Sequence, residues 1–322
     1  MTTRGGAGME SDAVPARIDK RGGIWKQVVH YRVLYVMMLP GIAYFILFHY
    51  VPMYGVTLAF KNFLFMEGIS GSPWVGLKHF EKAFSDPYFF QIIRNTLLIS
   101  LYKLFFGFPV PILFALLLNE VTSLRFKKLV QTASYLPHFI SWVVMSGIFI
   151  MVFSFDGPIN ELIKALGGDP VLFLADERYF RSILVITDIF KGFGWGSIIY
   201  FAAISGIDPQ LYEAAIMDGA GRLQRALRIT LPMLVPVIAI MLILNMSGIL
   251  DAGFDQIFNM YNPSVYHVSD IIDTYVYRKG LVEMQYSYSS AVGLFKSAVA
   301  LILILIVNRI VRTIGGKEYA LW

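Results

Sequence analysis

The chain has 322 residues, of which 57% are hydrophobic and only 15% charged, against roughly 45–50% and about 25% in soluble domains. A soluble fold of this size has too few charges to cover that much apolar surface, and the mean hydropathy of +0.62 reads as an integral membrane protein. Cysteine is absent, which excludes disulfides, thiolate metal sites and a cysteine nucleophile.

Residues 1–32 are polar and glycine-rich, carry Arg4, Arg17, Lys20, Arg21, Lys26 and Arg32, and lack an apolar core ahead of a cleavage site. They read as a cytoplasmic N-terminal tail, not a signal peptide. A transmembrane domain is expected over 33–314, and a short cytoplasmic tail over 315–322. Six apolar stretches, near 33–56, 93–118, 129–153, 182–205, 231–250 and 289–311, are long enough to cross ~30 Å of hydrocarbon as helices. The expected fold is therefore all-α, with six spans. Pro40, Pro52, Pro109, Pro111, Pro137 and Pro236 fall within them, and such breaks are tolerated where neighbours satisfy the freed backbone groups. Pro137-His138 predicts a kink. Between the spans, 57–92 mixes aromatics with charges and is expected on the outer surface. Asp156-Gly157-Pro158 and Gly167-Gly168-Asp169-Pro170 mark turns, and 251–288 is rich in tyrosine and aspartate.

Placing both termini inside puts 15 basic and 8 acidic residues on the cytoplasmic segments, and 9 basic and 13 acidic ones outside. Lysine and arginine favour the cytoplasmic side, so the net charge of +5 is a topology signal, and a nucleic-acid partner is not expected.

The inside segment 206–230 has its own pattern. Asp208-Pro209 favours a helix start; Glu213, Ala214 and Ala215 continue it; Asp218-Gly219 breaks it, because glycine takes backbone angles other residues avoid. A second helix is expected to carry Arg222, Arg225 and Arg228 along one side, before Leu231-Pro232 turns the chain into the next span. A helix–glycine–helix elbow of this shape suits a peg for a socket on another protein; the alternative is a basic interfacial loop.

Glu213-Ala214-Ala215 with Asp218-Gly219-Ala220 and the downstream Leu231-Pro232 resembles the EAA loop of ABC importer permeases. Met38-Leu39-Pro40-Gly41, Ser134 to Trp142 and the terminal Tyr319-Ala320-Leu321-Trp322 are similar to the LplB-type sugar and polysaccharide permeases, and within that group to the alginate importers. The resemblance implies a type I ABC importer permease fold in a bacterial cytoplasmic (inner) membrane. It also implies that Glu213, Ala214, Ala215, Asp218, Gly219, Arg222, Leu231 and Pro232 couple to an ATPase. The implied partners are a second permease subunit, an ATPase dimer that binds the ATP and Mg, and a periplasmic or extracellular solute-binding protein. Leu223, Ala226 and Leu227 stand where carbohydrate permeases often place aromatics.

The chain is not expected to be an enzyme or to hold a cofactor: no Walker A sequence occurs, and Gly316-Lys317 lacks the upstream glycine. The histidines, His30, His49, His79, His138 and His267, are too scattered for a metal site. Gly192, Gly194 and Gly196 read as close helix packing. Lys103, Asp188, Lys191 and Lys296 are costly at membrane depth, on the order of 3 kcal/mol each. Asp188 and Lys191, at i and i+3, are expected to neutralise each other, and Lys103 and Lys296 to snorkel or pair with the second permease. The excess of lysine leans towards an acidic oligo- or polysaccharide. The expected substrate pathway is Lys191, Trp195, Tyr200, Asn245, Ser247 and Tyr277, with Lys191 the first contact and Trp195 or Tyr200 either stacking a sugar or packing helices. Tyr275, Tyr277, Tyr286 and Tyr288 are expected at the outer mouth. The rival readings are an ion-driven secondary transporter, which would want paired intramembrane carboxylates and an internal repeat, and a membrane enzyme acting on lipid-linked sugars, which would want an Asp/His constellation at one face.

Overall fold

The computed structural model describes residues 29–315. The expected tail 1–32 lies almost wholly outside these, as do Lys317 to Trp322. The chain divides into two compact units at Tyr54–Gly55. In the first, the helix over Arg32–Phe45 passes through a π turn at Ile46–Tyr50 and buries no residue.

The described residues contain no strand, only one bridge between Lys61 and Trp74. The spanning helices are α1 (Arg32–Phe60), α2 (Pro87–Asn119), the pair α3 (Leu124–Phe139) and α4 (Trp142–Val152), α5 (Glu177–Ser205), α6 (Arg222–Met246) and α7 (Tyr286–Gly315). Five of these are long and apolar enough on their own, and α3 with α4 makes a sixth when the bent pair is counted as one span. The expected kink is far sharper than a proline bend: α3 and α4 meet at 105°. The break falls at Ile140-Ser141, after Pro137. Ile140 is extended, and the Ser141 hydroxyl caps α4 by accepting from the Val144 N–H.

Lipid tails are as apolar as leucine, so helices in a membrane associate through close packing and hydrogen bonds. Both are visible here. A Cβ placed on Gly194 of α5 would lie 2.1 Å from the Ser134 carbonyl oxygen of α3, and one on Gly196 would lie 3.2 Å from Pro111 of α2. These two glycines are packing contacts as expected; Gly192 faces open space. Ile112, Ala115, Leu116, Tyr200, Ile204 and Leu234 form one core.

The segment 251–288 is not a free outer loop. Ala252, Ile257, Met260, Val265, Val268 and Ile271 share a core with Ile99 of α2, Met145 and Phe149 of α4, and Phe180, Ile183 and Leu184 of α5. Its polar centre is Asp270, which is fully buried. The Asp270 carboxylate accepts from the Tyr88 hydroxyl at 2.7 Å, the Thr274 hydroxyl at 2.7 Å and the Arg278 guanidinium. Burial alone would lower the Arg278 pKa, but the hydrogen bonds and charge of Asp270 override this and raise it. Tyr275 and Tyr288 therefore do not line a mouth. Both are buried, with their hydroxyls 3.0 Å apart, because this segment folds inward onto α2 and α7. Tyr286 packs edge-on against Phe63.

Replacing Gly194 with alanine puts a methyl group into the Ser134 carbonyl, and overpacking of this kind costs about 1–3 kcal/mol or more. The variant is expected to lower the melting temperature and yield of the detergent-purified complex, while Gly192→Ala leaves both unchanged. Equal behaviour of the two variants would mean that α3 and α5 do not meet at this point.

Candidate functional site

The elbow is built by local chemistry. The Asp208 carboxylate caps a helix over Pro209–Met217 by accepting from the Gln210 N–H at 2.9 Å. The helix ends in a Schellman motif: the Gly219 N–H donates to the Ile216 carbonyl at 3.0 Å and the Ala220 N–H to the Ala215 carbonyl at 2.8 Å. Gly219 sits at φ +79°, where a side chain would be strained. The Gln224 side chain then accepts from the Gly221 N–H and starts the next helix.

Two expectations change here. Leu231-Pro232 does not turn the chain: α6 runs unbroken from Arg222, and a π turn over Ala226–Thr230 absorbs the hydrogen bond that Pro232 cannot make. Nor do the three arginines share one exposed side. Arg225 turns inward to Glu120, 3.7 Å away in the loop between α2 and α3, while Arg222 and Arg228 stay exposed. The Tyr212 hydroxyl meets Thr230 Oγ1 at 2.9 Å, tying the first arm of the elbow to the second. Glu213, Ala214, Asp218 and Arg222 are exposed, Ala215 half-buried. Met217 is 87% exposed and Leu223 71%, an apolar tip of the kind that marks a protein contact.

Within the membrane a cavity of about 530 Å³ opens between α2, α5 and α6, walled by Ser100, Lys103, Asp188, Tyr200, Asn245 and Asp251. The expected pairing of Asp188 with Lys191 is not made. Asp188 bonds Lys103 at 3.1 Å, and Lys296 bonds both oxygens of Asp273 at 2.6 and 2.7 Å. Lys103 and Lys296 are therefore both neutralised within this chain. The reason is folding at long range: the partners are 85 and 23 residues away in sequence, and the 251–288 segment brings Asp273 to α7.

Of the expected pathway residues, the cavity brings together Tyr200 and Asn245. The Asn245 amide donates to the Met241 carbonyl of its own helix. Lys191 and Trp195 lie on a different face of α5. Trp195 stacks flat on His138, centroids 4.6 Å apart. Lys191 is buried, donates to the His138 carbonyl at 2.7 Å and stands over the Trp142 ring. That carbonyl belongs to the last turn of α3, whose final carbonyls have no partner within the helix, so the ammonium caps the broken half-helix where a cation is favoured. Tyr277 packs against Phe254 and Phe258. The Ser247 side chain lies outside the described residues. Sequence reasoning missed Ser100 and Asp251; neither has a pattern of its own, and only the cavity joins them. No group of three metal-ligating side chains occurs among the described residues.

A family model described as "Binding-protein-dependent transport system inner membrane component" matches residues 107–316. The polygalacturonan/rhamnogalacturonan transport system permease protein YteP of Bacillus subtilis is 47% identical over 95% of this chain and 96% of its own length. Protein LplB of the same organism is 45% identical over 87% and 88%. The crystal structure of a bacterial ABC transporter involved in the import of the acidic polysaccharide alginate superposes with a TM-score of 0.84 at 43% identity, covering 90% of this chain and 98% of that one. A second structure, of the alginate transporter with an alginate pentasaccharide-bound periplasmic protein, matches at 0.84 and 42%, over 91% and 98%. With a glycine-bent elbow joined without a break to a cavity-lining helix, and likeness over nearly its whole length, the chain belongs to the inner membrane component family of binding-protein-dependent transport systems and is a permease subunit of an ABC importer.

Proposed function

We propose that this chain forms one half of the membrane pore of an importer for acidic oligo- or polysaccharides, coupled to its ATPase pair through the 206–230 elbow. The observation that carries the coupling is the elbow itself: a Schellman bend at Gly219 presenting exposed Met217 and Leu223 beside Glu213. The acidic substrate class rests on the relatives, whose names include polygalacturonan and alginate. The excess of lysine adds little to it, since Lys103 and Lys296 are already paired. Both termini are placed in the cytoplasm by the distribution of lysine and arginine.

The mechanism is alternating access. ATP binding draws the ATPase subunits together and moves the elbows with them; hydrolysis in those subunits, which hold the ATP and Mg, resets the state. Because α6 continues the second arm of the elbow without a break, displacement of Glu213 and Asp218 is passed to Met241, Leu244 and Asn245 at the cavity wall. The pore then opens to the outside and takes saccharide from the docked binding protein. The second permease supplies the other half of the pore.

Glu213→Ala and Gly219→Pro are expected to abolish substrate-stimulated ATPase activity in the purified complex while the subunits still co-purify. Full stimulation in both variants would remove the coupling role. For Lys191, the capping geometry predicts that Lys191→Gln, which keeps a donor for the His138 carbonyl, retains uptake of an acidic oligosaccharide, and that Lys191→Leu lowers the melting temperature. Loss of acidic uptake in the glutamine variant at unchanged melting temperature would instead make Lys191 a carboxylate contact.

A further inference from the structure

Two of the spanning helices carry a charge of the wrong sign where they meet the elbow. Glu120 closes α2 at its C-terminus, where the helix dipole disfavours a carboxylate. Arg225 lies in the first turn of α6, where the dipole disfavours a cation. Neither has a second ion-pair partner among the described residues, so each charge is offset by the other alone.

The pair is nevertheless slack. Arg225 Nη2 and Glu120 Oε2 are 3.7 Å apart, beyond the about 2.7–2.9 Å of a charge-assisted N–H···O bond. Arg225 Nε is buried and has no partner. A buried donor left unmade is unfavourable, and in a native fold such a group marks stored strain or a missing contact. The neighbouring tie of the elbow, Tyr212 to Thr230, is fully made at 2.9 Å. Space is available for movement: both residues line a cleft of about 430 Å³, walled also by Asn119, Ser205, Tyr212 and Arg222. Arg225 also stands directly before the π turn at Ala226–Thr230, an irregularity of the kind frequent at functional sites.

We propose that Glu120 and Arg225 form a strut that is slack in this conformation and draws tight at another stage of the transport cycle, so that displacement of the elbow is carried to α2 as well as to α6. An approach of about 1 Å brings the guanidinium fork onto the carboxylate as a hydrogen-bonded pair. The tightened pair ties together the ends of two cavity helices, α2 with Lys103 and α6 with Asn245, and makes them move as one. Both are positioning residues, acting through the helices that they join. The strut rests on the reading of the elbow as the ATPase contact.

The test uses the full complex with its binding protein and two readouts. The first is the melting temperature, measured nucleotide-free and again after trapping with ATP and vanadate. A pair that tightens in one state predicts that Glu120→Gln and Arg225→Gln lower it by about 2–4 °C in that state only. The second is uptake per ATP hydrolysed in proteoliposomes, with labelled uronate and neutral oligomers as probes. Each single variant is expected to lower it about fivefold, the size of a ~1 kcal/mol change in a rate barrier. The swap of Glu120→Arg with Arg225→Glu places each charge at the helix end that its dipole favours and is expected to restore both readouts. An equal loss of melting temperature in both states overturns the strut, because the pair would then be a static tie. Unchanged uptake per ATP in both single variants, or no recovery in the swap, also overturns it. If a glutamine variant fails to assemble, Arg225→Lys, which keeps the charge and loses the fork, decides by the same two measures. Full ATPase stimulation in Glu213→Ala would instead remove the elbow reading, an outcome separate from any loss in the Glu120 and Arg225 variants.

Discussion

The membrane domain is organised around one ammonium group. Lys103 lies on α2 at the start of a π turn, at a depth where an unpaired charge costs on the order of 3 kcal/mol. It is held by a carboxylate of α5, a carbonyl of Ala252 and the amide oxygen of Gln256. The three contacts hold α2, α5 and the Ala252–Gln256 segment to one geometry. Gln256, fully buried, then passes the constraint on by donating to the Leu184 carbonyl and Thr187 Oγ1 of α5. Gly253 is part of the same knot: at φ +93° it has no room for a Cβ, which would lie 2.6 Å from the Lys103 ammonium.

Irregular backbone recurs along the spans. π turns interrupt α2 at Lys103–Gly107 and α6 at Ala226–Thr230, and the third span is broken at Ile140-Ser141. At the break between α3 and α4 two freed groups find partners: Lys191 takes the His138 carbonyl, and the Ser141 hydroxyl takes the Val144 N–H. Without water in the hydrocarbon, such breaks persist only when they are satisfied in this way. The elbow is joined to this framework at two further points, Arg225 with Glu120 and Tyr212 with Thr230. These contacts fix the elbow to the ends of α2 and α6.

A second polar centre does similar work. Asp270 gathers Tyr88, Thr274 and Arg278, and Asn95 of α2 donates to both the His267 and Asp270 carbonyls while accepting from Arg181 of α5. The segment 251–288 is thereby tied to the ends of two spans and becomes a wall of the domain. The lining of the cavity at Asp251 and Gly253 follows from that.

Much of this protein can be read from its sequence because the signals are local or compositional. Apolar runs of sufficient length imply spans, the lysine and arginine bias implies sidedness, and Asp208-Pro209 with Gly219 implies a capped helix and a bend, since each depends on neighbours within a few residues. The bend at Gly219 was legible for the same reason. Charge pairing was not. Asp188 has Lys191 one turn away, yet bonds Lys103, because helix neighbours on a surface gain only about 0.2–0.5 kcal/mol from pairing, whereas a buried lysine left alone costs several times that. Tyr275 and Tyr288 looked like a mouth and are a core contact, because periodicity does not say which way a loop between spans folds. The cavity, with Ser100, Asp188, Asn245 and Asp251 drawn from separate segments, exists only once α2, α5 and α6 are packed: its residues are far apart along the chain, and the desolvation that gives them meaning is a property of the assembled helices.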